Sequence, residues 1–195
     1  MKKPGWSRVF LIVACTSIFL QSTAAFCAGP AEKESRVKFT LPPPDSEQTR
    51  TYLGLDAMKP FKVGDIRARI VVIELMNSLC LHCQANAPIM NDIYKTIQAD
   101  SALADVRVIA IALADDKTRV ETFKKQFKTI FPILLDENLE ITGSMSGQGC
   151  PITMVVSTEN AKVLFTHPGV LPDADKFVTQ VKFVKQLEAL EKENQ

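Results

Sequence analysis

Two thiols and an imidazole fall within four residues, Cys80-Leu81-His82-Cys83, and this is where the chain could do chemistry. Thiols in C-x-x-C spacing can cycle between dithiol and disulfide, or can hold a soft metal ion. The tetrapeptide follows an apolar run ending at Leu79 and opens a helical pattern near Leu81. A cysteine at the start of a helix meets unpaired N–H groups and the positive end of the helix dipole, and both favour a thiolate. Such positions lower a cysteine pKa from about 8.5 into the range of roughly 3.5–7.5. Cys80 is therefore the candidate nucleophile and Cys83, a turn further on, the candidate resolving thiol. His82 would add a second stabiliser if its imidazole is protonated or donates toward the Cys80 sulfur.

The elements around this stretch must hold it at the edge of a core. Residues 68–75 are a β-branched run with one acid, Glu74, embedded in it; such a run, without alternation, predicts a strand buried on both faces. Beyond the cysteines, Ile89, Ile93 and Ile97 recur at four-residue spacing beside Met90 and Tyr94, which predicts a helix packing one face on a sheet. Pro88 should bend that helix about two turns in. Residues 106–113 predict a second buried strand. Asp115 and Asp116 are cap candidates for a helix through Phe123 and Phe127. Residues 131–135 read as a third short strand, 137–144 as a short helix, and 153–157 with 162–166 as an antiparallel hairpin. An amphipathic helix over 172–191 should be buried through Phe177, Val181, Val184 and Leu187. Upstream, residues 52–55 and 61–63 read as a short hairpin or strand leading into the core. The pattern is α/β: a central mixed β-sheet flanked by helices, in one domain.

The N-terminus reads as an export signal over residues 1–28. Lys2, Lys3 and Arg8 precede an apolar stretch over 9–20, then the small residues Ser22, Thr23, Ala24 and Ala25. Retention as an anchor is the rival reading, because residues 9–28 are about long enough to span a bilayer. Either way the expected location is periplasmic or otherwise extracytoplasmic, where disulfides persist. Residues 29–51 are polar and carry Pro42-Pro43-Pro44, which predicts a flexible tether. The folded domain is expected over 52–195. Without the leader's three bases the chain carries 20 basic and 22 acidic residues, a formal −2. That balance does not suggest nucleic acid or an anionic membrane surface as a partner.

The run from Cys80 to Ile89 resembles the active-site helix of the thioredoxin fold, C-x-x-C-x-x-x-A-P-I/L, with Pro88 in the family's place. Glu74 stands six residues before Cys80, where thioredoxins carry a buried acid beneath the disulfide. Gly149-Cys150-Pro151-Ile152-Thr153 resembles the loop whose cis-proline faces the dithiol, and Gly169 falls where the family has a glycine. The extra strand and helix between Ala104 and Leu135 make the chain most similar to the extracytoplasmic TlpA-type thiol-disulfide oxidoreductases, over about residues 53–187. The resemblance implies a thioredoxin-like fold with a strand-helix insertion. It also implies protein thiol and disulfide substrates, a membrane-embedded thiol-disulfide electron donor, no cofactor, and a site of Cys80, Cys83, His82 and Glu74 with Cys150 and Pro151 binding substrate.

Three positions depart from that pattern. Leu79 stands where many members have Trp or Tyr, and Asn86 where many TlpA-type reductases have Glu, leaving Glu74 as the acid expected to accept a proton from Cys83. Cys150 precedes the proline, where it could be a packing residue, a third redox thiol or a third ligand. The histidine shared with strongly oxidising relatives suggests a potential above thioredoxin's roughly −270 mV and short of about −120 mV. A copper or zinc site built on Cys80, Cys83 and Cys150 is the alternative function. A peroxiredoxin reading wants T-x-x-C, and Asn77 occupies the threonine position.

Overall fold

The computed structural model describes residues 35–144 and 148–193, so the export signal and the first residues of the expected tether lie outside the described residues. The strand that carries Glu74, β1 (Ile70–Met76), is buried along its whole length, as its unbroken apolar run requires. β2 (Val106–Ala112) runs parallel to it, from Ile70 opposite Val106 to Met76 opposite Ala112. β3 (Ile133–Leu135) extends the sheet beyond β2 in parallel. On the other side β4 (Ile152–Ser157) pairs antiparallel with β1, and β5 (Val163–Pro168) with β4. The order is β3-β2-β1-β4-β5, with β1 in the centre.

Alternation along β1 separates two cores. Ile70, Val72 and Met76 face α2 (Leu81–Ala99), α3 (Lys117–Phe127) and α5 (Ala174–Glu193), packing among Met90, Ile93, Ile97, Phe123, Phe177 and Val181. Val71, Ile73 and Leu75 face the opposite way, toward Leu41, Leu53, Leu55 and Phe61 and Ile141 of the short α4 (Glu140–Ser144). Pro88 lies inside α2, which continues through it as one helix. Asp116 caps α3 by accepting the Arg119 N–H at 2.9 Å; Asp115 turns instead toward the site.

The N-terminal region differs from the sequence expectation. Residues 47–53 form a helix, α1 (Glu47–Leu53), where a tether and then a strand were expected. Ser46 caps it by accepting the Thr49 N–H at 3.2 Å, and Gly54 ends it in the left-handed conformation. The hairpin or strand expected over 52–55 and 61–63 is not formed; Phe61 instead makes an isolated antiparallel bridge with Leu41, a residue of the expected tether. Leu41 is fully buried, as are Pro42 and Pro44 within the proline run. The physical reason is the second face of the sheet: its apolar residues need a cover, and the segment upstream of β1 supplies most of it, with Ile141 of α4.

The C-terminal helix differs in phase. Its buried stripe runs through Phe177, Val181 and Glu188, while Leu187 is 43% exposed. A spacing of four, then seven, keeps a helix face aligned, so position 188 rather than 187 meets the sheet. The Glu188 carboxylate is accommodated there by Arg69, whose Nε lies 3.0 Å away, and by the Ser157 hydroxyl, which donates to it.

Gly54 has φ +69°, and a Cβ built on it would lie 2.6 Å from the Arg67 Cβ. Gly54→Ala should destabilise the protein by more than about 1 kcal/mol in urea unfolding. An unchanged midpoint would show that α1 does not need this turn.

Candidate active site

The site forms where β1 ends and α2 begins. The four linking residues are pinned by a set of hydrogen bonds to the loop after β2. The Asn77 amide donates to the Leu113 carbonyl at 2.7 Å, and its own Oδ1 accepts the Leu79 N–H at 3.0 Å. Ser78 gives both its N–H and its hydroxyl to the Asp115 carboxylate, at 2.7 and 2.9 Å. Gln84, a turn into α2, donates to the Ser78 carbonyl at 2.9 Å. Cys80 is the N-cap residue of α2 with extended backbone (φ −77°, ψ 118°), and its carbonyl accepts the Gln84 N–H at 3.0 Å. Its side chain therefore sits at the positive end of the helix, half-buried, between the exposed Leu79 and Leu81.

Three sulfurs meet here. The Sγ atoms of Cys80, Cys83 and Cys150 all lie within 4.8 Å of one another. All three are free thiols. Cys83 is buried on the first turn of α2, and Cys150 is half-buried on the loop entering β4. The Cys80 thiol donates to the Cys150 carbonyl at 3.4 Å. Partial burial opposes ionisation of Cys80, but the Cys83 N–H, the thiols of Cys83 and Cys150, and the His82 N–H outweigh it and hold its pKa below the ordinary thiol value. Burial pushes the Cys83 thiol up, and its role as a partner to the Cys80 sulfur adds to this. Cys150 is raised for the same two reasons. The arrangement favours a negative charge on Cys80 over one on either neighbour, with two neighbouring thiols able to donate to it.

The peptide before Pro151 is cis. The Pro151 carbonyl accepts the N–H of Gly169, which has φ +83°, at 2.8 Å, tying the Cys150 loop to the end of β5.

Glu74 lies beneath, 2% exposed, on the face of β1 that meets α2. The amide of the fully buried Asn86 donates to its Oε1 at 2.8 Å, and the Asn86 Oδ1 accepts the Leu171 N–H at 2.9 Å. Burial raises the Glu74 pKa to about 7, with Asn86 pulling the other way. Thr153, its cross-strand neighbour, is equally buried.

The structure thus gathers Cys80, Cys83 and Cys150, with Pro151 next to Cys150, and holds Glu74 in the core through Asn86, three residues beyond Cys83 on α2. The His82 side chain is exposed, and none of the described hydrogen bonds involves it; what reaches Cys80 from this residue is the backbone N–H. Asn77, Ser78, Gln84 and Asp115 position the dithiol; the sequence reading gave none of them this role, taking Asp115 as a helix-cap candidate and Asn77 only as the residue that departs from T-x-x-C. The available signal was the Asp115-Asp116 pair, in which one acid suffices for the helix cap.

A five-stranded mixed sheet covered by helices, with a dithiol at a helix N-terminus facing a cis-proline loop, defines the thioredoxin-like class. The sequence profile described as the AhpC/TSA family matches residues 38–164, and the chain belongs to that family. It is 25% identical over 114 residues to the thiol-disulfide oxidoreductase ResA of Geobacillus thermodenitrificans, covering 58% of this chain and 63% of that protein. ResA of Bacillus subtilis is 22% identical over 116 residues, covering 60% of this chain and 62% of its own length. The chain thus matches a little under two thirds of the length of these two relatives. Among solved structures, a Chlorobium tepidum protein provisionally named thiol:disulfide interchange protein DsbE superposes with a TM-score of 0.57 at 21% identity, covering 79% of this chain and 96% of that one. A secreted Mycobacterium tuberculosis disulfide oxidoreductase gives 0.52 at 16% identity, covering 73% and 93%.

A carboxyl whose pKa is higher folded than unfolded stabilises the fold while protonated. For Glu74, with an unperturbed value of 4.5, that contribution is full below the unfolded pKa and is lost as pH rises through about 7. Relative to Glu74→Gln, which keeps an oxygen for Asn86, the wild type should lose on the order of 3 kcal/mol between about pH 4 and pH 8. Urea unfolding of both proteins across that range measures it, and a pH-independent difference would contradict a raised Glu74.

Proposed function

We propose that the protein is an extracytoplasmic thiol-disulfide oxidoreductase acting as a protein-disulfide reductase. The observation that carries this reading is the Cys80 sulfur at the N-terminus of α2, with a lowered pKa and the Cys83 thiol beside it. The Cys80 thiolate attacks one sulfur of a client disulfide, forming a mixed disulfide and expelling the other client sulfur as a thiolate that takes up a proton. Cys83 then loses its proton, attacks the Cys80 sulfur and releases the second client thiol, leaving Cys80–Cys83 oxidised. Glu74 is the acid that receives the Cys83 proton; its pKa near 7 suits a base at neutral pH. Exposed Leu79 and Leu81 flank the nucleophile and favour a polypeptide client, with the Cys150-Pro151 loop as the opposite wall. His82 acts through its backbone N–H, which is directed to the Cys80 sulfur.

A membrane thiol-disulfide electron donor returns the protein to the dithiol. The names of the ResA relatives and the secreted character of the Mycobacterium tuberculosis neighbour support the chemistry and the compartment, as does the leader pattern at residues 1–28. Among the described residues no helix is long and apolar enough to cross a membrane. Insulin disulfide reduction should be supported by the wild type and fall by at least about a hundredfold in Cys80→Ser, since the attacking thiolate is gone. Equal rates would sink the proposal.

A second reading is favoured by the three-sulfur cluster itself, which has the donor set of a soft-metal site for copper or zinc. His82 is not among the clustered ligands. Metal analysis of reduced, anaerobically purified protein separates the two: one tightly held ion per chain supports the metal reading, and substoichiometric metal supports the dithiol.

A further inference from the structure

We infer that Cys150 is a second resolving thiol, able to close a Cys80–Cys150 disulfide in place of Cys80–Cys83. This rests on the oxidoreductase reading and extends it to a residue on a different element.

The geometry places the Cys150 sulfur within 4.8 Å of the nucleophile, the same limit that holds for the sequence-local partner Cys83. Access favours Cys150 over Cys83. Cys83 is 1% exposed beneath α2, whereas Cys150 is half-buried, so solvent can take its proton directly. Its loop is held independently of α2, by the Gly169 N–H on the Pro151 carbonyl. The Cys150 backbone carbonyl already lies 3.4 Å from the Cys80 sulfur, so the two elements meet at the nucleophile.

The step balances. Cys80 carries the client as S–S–R; Cys150 gives its proton to solvent and attacks the Cys80 sulfur. The S–R bond breaks, and the client leaves as a thiolate that is then protonated. The client half is reduced, and Cys80 with Cys150 is oxidised. Cys83 can afterwards attack the Cys80 sulfur of that bridge, returning Cys150 to the thiol and giving Cys80–Cys83. The cluster would then release a client by either of two routes and still end in one oxidised form.

The test uses the full chain with Cys83→Ser, and Cys83→Ala in case a hydroxyl is not accommodated in the buried position. Each is treated with glutathione disulfide beside the Cys83→Ser/Cys150→Ser double variant. Peptide mapping without reductant distinguishes Cys80–Cys150 from any pairing of Cys15 or Cys27. We expect the glutathione adduct on Cys80 to disappear from the single variants at least about tenfold faster than from the double variant, with a Cys80–Cys150 peptide pair taking its place. An adduct that persists equally in single and double variants overturns the inference and leaves the dithiol reading intact. Failure of Cys80 to take up glutathione in any variant overturns both.

Discussion

The central strand has no polar face. β1 is buried on both sides, so two separate layers of chain must cover it, and the rest of the molecule is arranged to supply them. Helices α2, α3 and α5 cover one face; residues 41–66 with α1 and α4 cover the other. Covering the second face is favourable by roughly 25 cal/mol per Å² of apolar area, which opposes the entropy cost of ordering the N-terminal segment over it. This constraint turned a proline-bearing stretch into part of the fold. It also gives the dithiol a firm base, because only Asn77, Ser78 and Leu79 separate Cys80 from the end of the buried strand.

On that base the site works by placing charge where only one sulfur can use it. The helix N-terminus and the neighbouring thiols favour a thiolate on Cys80, while burial and the same contacts disfavour one on Cys83 and Cys150. In the proposed reaction attack and resolution are thereby ordered: the Cys80 sulfur attacks first, and the others act only after that charge is spent in a covalent bond. The buried pair of Glu74 and Asn86 belongs to the same design. Asn86 holds the carboxyl with its amide and the chain ahead of α5 with its carbonyl, so a single side chain links strand, active-site helix and C-terminal helix. A neutral amide at this position leaves one titratable group under the dithiol instead of two.

Periodicity and residue type alone made much of this legible. The runs at 68–75 and 106–113 could only be buried strands, and the Ile89, Ile93 and Ile97 spacing only a helix laid on them; the structure has β1, β2 and α2 there. The dithiol was visible because C-x-x-C is local, and Glu74 because an acid in an apolar strand is conspicuous. Leu187 was misplaced because its composition favoured burial while helical phase favoured Glu188, and the ion pair with Arg69 that makes a buried Glu tolerable spans 119 positions of sequence. The helix at 47–53 was hidden behind three prolines, although Ser46 and Gly54 are ordinary cap residues at its two ends.

The sequence by itself determined the dithiol, the strand beneath it and the helix that presents it, because those depend on neighbours in the chain. The family resemblance already set the Cys150-Pro151 loop opposite the dithiol; tertiary structure decided how closely the sulfurs meet, that Asp115 locks Ser78, and that the His82 side chain is exposed while its N–H serves the Cys80 sulfur. Each of these is a contact between segments brought together by strand order, and no local pattern encodes a distance across a sheet.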